Sequence, residues 1–358
     1  MFGFLSKINW EAFPKIPFLS SIQLYFDLGT SNTRIAIKNK GVVLKEPTYL
    51  GINAKTKKSI FFGQEAKIIL GKTPEFIKIM RPINNGIIFD FDAEVSLLHF
   101  FMKKSIAPYF HQGYLIKPPI KALTAFPLIA TEIEQKAVEE ALNKAGCYSI
   151  TMIDKPLATA AGCGIDVYTN KPHMIVDMGG GIIEISIVGS GGIVSSKTLK
   201  NAGEAMDKII SNYVYLKHGV ILGESAGEKL KTTILNFAGE DKLQLIRGKS
   251  LETGLPKSVK IKTDEIKEAL LTSFSQIGET IKELIEISPP ETVEEVFNEG
   301  IYLAGGLTGI LGIDNYFSEE LKTKIIISSS FKEATINGLI ELDKKPNMIN
   351  NLTSFKTN

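Results

Sequence analysis

Residues 175–187 read Ile-Val-Asp-Met-Gly-Gly-Gly-Ile-Ile-Glu-Ile-Ser-Ile, and residues 25–37, offset by 150, read Tyr-Phe-Asp-Leu-Gly-Thr-Ser-Asn-Thr-Arg-Ile-Ala-Ile. The offset superposes Asp27 on Asp177, Gly29 on Gly179, Ile35 on Ile185 and Ile37 on Ile187. In each copy two apolar runs flank a glycine-containing turn, the pattern of a strand–turn–strand unit. Such a turn presents backbone N–H groups to a phosphate and a carboxylate to the metal that accompanies it, and its glycines let the main chain approach without a Cβ in the way. A single Gly-rich hairpin is more often only a tight turn. Duplication is the constraint: two similar half-molecules are expected to face each other across one nucleotide cleft.

The 358 residues suffice for two domains, or two halves each carrying a smaller subdomain. Net charge is +2, and Arg34, Arg81 and Arg247 are the only arginines among 41 Lys+Arg. A nearly balanced, lysine-dominated set argues against nucleic acid as a partner. Cys147 and Cys163 form no C-x-x-C pattern, which suits reduced thiols in a cytosolic protein. His99, His111, His173 and His218 lack metal-ligand spacing. No apolar run approaches the ~18 residues of a spanning helix. Residues 1–20 lack the sustained apolar core of a cleavable signal and contain Pro14 and Pro17.

Those first 20 residues place Phe2, Phe4, Leu5 and Ile8 beside Lys7 and Lys15. The alternation favours a membrane-interface segment slightly over an arm packed on the protein's own surface. Strands are expected over 22–52, a small inserted subdomain over 53–80, and a return segment from Arg81 to Asp92, with Asp92 capping the helix that follows. A loop near 109–119 shows Leu115 and Ile116 at its tip without a local apolar partner. Thr131 and Glu134 form a capping box for a helix that Gly146 ends, and Pro156 opens the small-residue helix 157–162. In the second half, helices open at Gly203 and Gly223, and a long amphipathic helix over 263–287 points Ile266, Leu270, Phe274, Ile277, Ile281 and Leu284 inward. A third glycine turn, Gly305-Gly306, is placed to admit the base and ribose side of a nucleotide. The polar residues 346–358 are expected to be disordered.

Taken in order, these segments resemble the MreB family of bacterial actin homologues over roughly residues 22–343. Residues 27–33 resemble its first phosphate loop, the Arg81-Pro82 segment through Asp92 its return segment, and residues 177–181 its second phosphate loop. Gly203 to Asp207, Gly223 to Lys231 and Ala304 to Gly306 follow at the family's intervals. The arginine-proline segment separates the chain from chaperones and sugar kinases of the same superfamily. The resemblance implies an α/β, actin-like fold of ribonuclease H-like duplicated halves, with two lobes and four subdomains around the cleft. One lobe would hold residues 21–52, 81–150 and 325–345 with 53–80 inserted; the other 151–205 and 286–324 with 206–285 inserted.

The resemblance also implies ATP and Mg²⁺. Asp27 and Asp177 would hold the hydrated ion. Gly29, Thr30, Ser31 and Asn32, with Gly179, Gly180 and Gly181, would wrap the phosphates. Glu204, Glu228 and Lys231 would contact ribose and adenine, and Gly305 and Gly306 would floor the base pocket. Without the family, Glu228 and Lys231 read as a solvated helix pair three residues apart. Implied partners are further copies of the chain in filaments, including paired protofilaments, the inner face of the cytoplasmic membrane, cell-wall elongation proteins and MreB paralogues. Membrane contact would come from Phe2, Phe4, Leu5 and Ile8 or from Leu115 and Ile116.

Two positions depart from the family. Its catalytic glutamate, in a Glu-Glu-Pro motif, is here Lys155 of Asp154-Lys155-Pro156, and the threonine after its three glycines is here Ile182. An ammonium cannot accept a proton from the attacking water, and losing a positioned base costs on the order of 10²–10⁴ in rate. ATP binding with very slow or absent turnover is therefore expected, with Lys155 meeting the terminal phosphate. Competing readings are weaker: a small-molecule kinase needs a base facing an acceptor hydroxyl, a chaperone needs a further substrate domain, and a division-type actin would tether by an apolar tail.

Overall fold

The computed structural model describes residues 21–109, 118–349 and 352. The arm with Phe2, Phe4, Leu5 and Ile8 and the loop tip with Leu115 and Ile116 lie outside the described residues. The first half runs β1 (Ile22–Leu28), β2 (Asn32–Ile37), β3 (Gly41–Pro47), β4 (Leu50–Asn53), β5 (Ser59–Phe62), α1 (Gln64–Ile68), β6 (Ile77–Met80), β7 (Ile83–Asn84), β8 (Ile87–Ile88), α2 (Phe91–Ile106), β9 (Ile120–Phe126), α3 (Glu132–Ala145), β10 (Cys147–Asp154) and α4 (Lys155–Gly162). The second runs β11 (His173–Met178), β12 (Ile183–Gly189), β13 (Gly192–Leu199), α5 (Gly203–His218), β14 (Val220–Ile221), α6 (Ala226–Ile234), β15 (Leu243–Ser250), β16 (Pro256–Lys262), α7 (Thr263–Glu286), α8 (Pro290–Glu299), β17 (Ile301–Ala304), α9 (Ile313–Leu321), β18 (Ile325–Ile327), α10 (Ala334–Leu342) and α11 (Pro346–Ile349).

The two halves repeat one topology. Their main sheets are ordered β10-β9-β1-β2-β3 and, read the same way, β18-β17-β11-β12-β13. In both, a hairpin pairs antiparallel while later strands join parallel. The offset survives into the register: Leu24 faces Ile37 and Asp27 faces Arg34, while Met174 faces Ile187 and Asp177 faces Glu184. Successive side chains leave a strand on opposite faces. Leu24 and Phe26 accordingly pack under α2 and α3, whereas Tyr25 joins a central layer with Ile175, α4 and α10. Met174, Val176 and Met178 face the third cluster, built with α5, α7 and α9. Strands covered on both faces read as continuous apolar runs, as these do.

Helices α4 and α10 cross between the sheets almost backbone to backbone. A Cβ on Gly162 would stand 1.7 Å from the Ala334 carbonyl oxygen, and one on Gly338 would stand 1.6 Å from that of Ala158. The Thr159 and Thr335 hydroxyls bond across the crossing at 2.9 Å.

Several expectations shift. Asp90, not Asp92, caps α2, its Oδ1 accepting from Ala93 N at 3.0 Å. The boundary at 150/151 falls inside β10, which belongs wholly to the first sheet, and the one at 324/325 assigns β18 to the first lobe although it pairs with β17 in the second. Sheet pairing joins residues far apart in sequence, and local pattern does not reveal it. The inserted sheet of the first half begins at β4, and that of the second is β14-β15-β16. Residues 346–349 form α11, and Ile349 and Leu352 are buried in the central layer, so the expectation of a disordered tail fails there. Two apolar anchors suffice to dock a short polar segment.

Candidate functional site

The turn between β1 and β2 faces the turn between β11 and β12 across a cavity of about 470 Å³. The turns are equivalent in detail. A Cβ on Gly29 would meet the Asn32 carbonyl oxygen at 2.6 Å, and one on Gly179 would meet that of Ile182 at 2.8 Å. They also nearly touch each other, since a Cβ on Gly181 would fall 2.2 Å from Thr30 Oγ1 and one on Gly180 would fall 2.0 Å from Ser31 Oγ. Thr30 Oγ1 in turn accepts from Gly86 N at 2.9 Å. All the residues expected at the phosphates, Gly29, Thr30, Ser31, Asn32 and Gly179 to Gly181, line this one cavity, together with Gly305 and Gly306. Gly305 has φ +89 and leaves no room for a side chain, because a Cβ would stand 2.5 Å from Asp177 Oδ1.

The floor carries the chemistry. Asp27 and Asp177 share the cavity, each bonded to a cation: Arg34 Nη1 to Asp27 Oδ2 at 2.8 Å, and Lys155 Nζ to Asp177 Oδ2 at 2.6 Å. Lys155 also lies 3.3 Å from Glu184 Oε2, while Glu184 Oε1 accepts from Leu128 N at 2.9 Å. Burial alone would lower the Lys155 pKa, but Asp177, Glu184 and Asp27 outweigh it and raise the value, so the ammonium stays protonated. Its place in the first turn of α4 puts a cation where the helix dipole disfavours one. Carboxylates supply the compensating anion that a phosphate was expected to supply. Ile182, 3% exposed, sets its Cδ1 methyl 3.1 Å from where a Cβ on Gly86 would stand, so this position offers the cavity no hydroxyl.

The residues expected at ribose and adenine are also engaged. Glu204 of α5 bonds Arg81 and accepts from Ser31 Oγ at 3.0 Å, tying the second half to the first. Arg81 stacks over Tyr49 at 4.6 Å. Lys231 bonds Asp207 at 2.6 Å and donates to the Gly203 carbonyl, and Glu228 meets Lys67 of α1 at 2.8 Å. Glu228 and Lys231 are thus no solvated pair with each other: Lys231 is buried and Glu228 reaches across the cleft mouth.

The donor set does not fit the Mg²⁺ implied for Asp27 and Asp177. Both carboxylates already hold cations, and a divalent ion beside Arg34 and Lys155 would set like charges together in a buried space. The sequence reading missed Arg34, Glu184, Arg81 and Lys67 as site residues. For the first two a signal existed, because hairpin register places each directly opposite its aspartate.

Duplicated halves closing on one cleft through paired glycine turns define an actin-like protein. The sequence profile of the MreB/Mbl protein family matches residues 21–351, and the chain belongs to that family. The cell shape-determining protein Mbl of Bacillus cereus is 34% identical over 307 residues, which are 85% of this chain and 90% of Mbl. MreB5 of Spiroplasma citri bound to ADP superposes with a TM-score of 0.86 at 29% identity, covering 92% of this chain and 98% of MreB5. Its AMPPNP complex superposes at 0.84, with 29% identity and coverage of 93% and 99%.

Proposed function

We propose that this protein is an ATP-binding subunit of an actin-like filament that contributes to cell shape, and that it turns ATP over slowly or not at all. The observation that carries the second clause is Lys155, protonated and bonded to Asp177 and Glu184, at the family's place for a water-activating carboxylate. Support for the first comes from the paired turns, from MreB5 having been captured with ADP and AMPPNP, and from Mbl being named for cell shape. Electron microscopy of purified protein with ATP tests assembly, and absence of filaments defeats the reading. Phosphate release tests turnover: a rate typical of hydrolysing relatives refutes the impaired-hydrolysis clause, whereas recovery in the Lys155→Glu, Ile182→Thr double variant supports it.

We place the filament on the inner face of the cytoplasmic membrane, with Phe2, Phe4, Leu5 and Ile8, or Leu115 and Ile116, as the contact. Among the described residues no helix is long and apolar enough to cross a membrane. Vesicle co-sedimentation with residues 1–20 deleted, and separately with Leu115 and Ile116 changed to Ser, identifies which segment binds. Copolymerisation with paralogues and contact with cell-wall elongation proteins belong to the same reading.

A further inference from the structure

We infer that this protein binds its nucleotide without a divalent cation, Arg34 and Lys155 taking the electrostatic place of the ion; the inference rests on the nucleotide-binding reading above. At the cleft floor Asp27, Asp177 and Glu184 face Arg34 and Lys155, and every aspartate there is bonded to one of these cations. The side chains of Arg34 and Lys155 are only 12% and 18% exposed, so solvent screens them little. Register fixes the first: opposite Asp27, an arginine cannot leave the hairpin face. Packing fixes the second, in the first turn of a helix wedged between two sheets.

The floor is not fully paired: Glu184 Oε2 is a buried acceptor without a hydrogen-bond partner among the described residues, and one buried donor is likewise unmet. Arg34 lines the cavity, yet its buried Nε–H has no hydrogen-bond partner among the described residues. A buried donor of that kind is costly until it meets an anion. Phosphate oxygens arriving between the glycine turns would satisfy it and would draw on the Lys155 ammonium as well. A metal-bound water would have to compete with Arg34 and Lys155 for the carboxylates of Asp27 and Asp177.

The test is a titration of fluorescent mant-ATP followed by anisotropy, at fixed ionic strength, in millimolar MgCl₂ and then in excess EDTA. The expected dissociation constants differ by less than about threefold, whereas a loss of about tenfold or more on chelation overturns the inference. An Arg34→Leu, Lys155→Glu double variant should bind about tenfold more weakly in EDTA than in MgCl₂. Equal binding in the two buffers by a variant that circular dichroism shows to be folded also overturns it. If the double variant does not fold, Arg34→Gln, which keeps a donor for Asp27, should show a smaller dependence of the same sign. Strictly Mg²⁺-dependent binding by the unmodified protein removes this inference alone. No binding in either buffer removes both it and the nucleotide-binding reading.

Discussion

Adding one methyl group at Gly338 should unsettle the junction between the halves. The new Cβ would stand 1.6 Å from the Ala158 carbonyl oxygen, so α4 and α10 must part by roughly 1.5 Å before the contact becomes tolerable. Overpacking of a rigid core typically costs ~1–3 kcal/mol, and loss of the Thr159–Thr335 hydroxyl contact adds about 1 kcal/mol. Against this, alanine gains ~1 kcal/mol over glycine in a helix interior. The net expectation is a loss of about 1–3 kcal/mol for Gly338→Ala and a similar loss for Gly162→Ala. The two clashes are reciprocal across one crossing, and separation forced by either makes room for both. The double variant should therefore be less destabilised than the sum by about 1 kcal/mol or more. Urea unfolding of the nucleotide-free protein measures all three. Strict additivity, or single variants as stable as the parent, would show that the helices are not held backbone to backbone.

Glu94 is fully buried with both carboxylate oxygens unpartnered among the described residues, and burial pushes its pKa up to about 8. The unfolded chain releases this proton from near the ordinary value and the folded protein only near 8, so stability is greatest in acid and falls as pH rises toward 8. Glu94→Gln should melt like the parent at pH 5 and several degrees above it at pH 8.5 in thermal scans; a constant difference at both pH values would refute the assignment. Gly181→Ala brings a Cβ within 3.0 Å of Asn85 Cα as well as against Thr30, and should weaken mant-ATP binding by about tenfold or more. Lys155→Met leaves Asp177 and Glu184 buried without their cation, at a cost of ~3–5 kcal/mol near neutral pH. That loss should shrink toward pH 5 as Glu184, whose pKa burial raises, takes up a proton, which urea titrations at the two pH values would show.

The duplication was legible because hairpins are local: strand, turn and strand lie within residues 22–37 and again within residues 173–189, and the offset of 150 carried through to identical register. Helix α7 was equally open to reading, since all six residues of its expected apolar face are buried. Strands β15 and β16 escaped because so few of their residues face the core; Ile246 and Ile261 are buried among mostly polar or exposed neighbours, and alternation barely registers. The extent of β10 and the pairing of β18 were hidden for another reason, being settled by partners elsewhere in the chain. At the site, residue types were visible but their allegiance was not. Lys155 was read against a phosphate, and its nearest anions turned out to be side chains 22 and 29 positions later.

That allegiance bears on why position 155 carries a lysine. The halves are equivalent in register, yet Asp27 faces an arginine and Asp177 faces a glutamate, so only the first half neutralises its own aspartate. In the second half Asp177 and Glu184 rely on a cation from outside the hairpin, and Lys155 supplies it. A glutamate at 155 would instead gather three buried carboxylates into one pocket, where like charges cannot all stay ionised without a counter-ion. On the function proposed above, the loss of a catalytic base and, together with Arg34, the independence from a divalent ion both trace to Lys155. Lys155→Glu alone should accordingly lose ~3–5 kcal/mol in EDTA and recover part of it in millimolar MgCl₂, while the melting temperature of the parent stays the same in both buffers. A Lys155→Glu protein that melts with the parent in EDTA would show that Asp177 and Glu184 do not need the ammonium, and the account of the cleft floor would have to be abandoned.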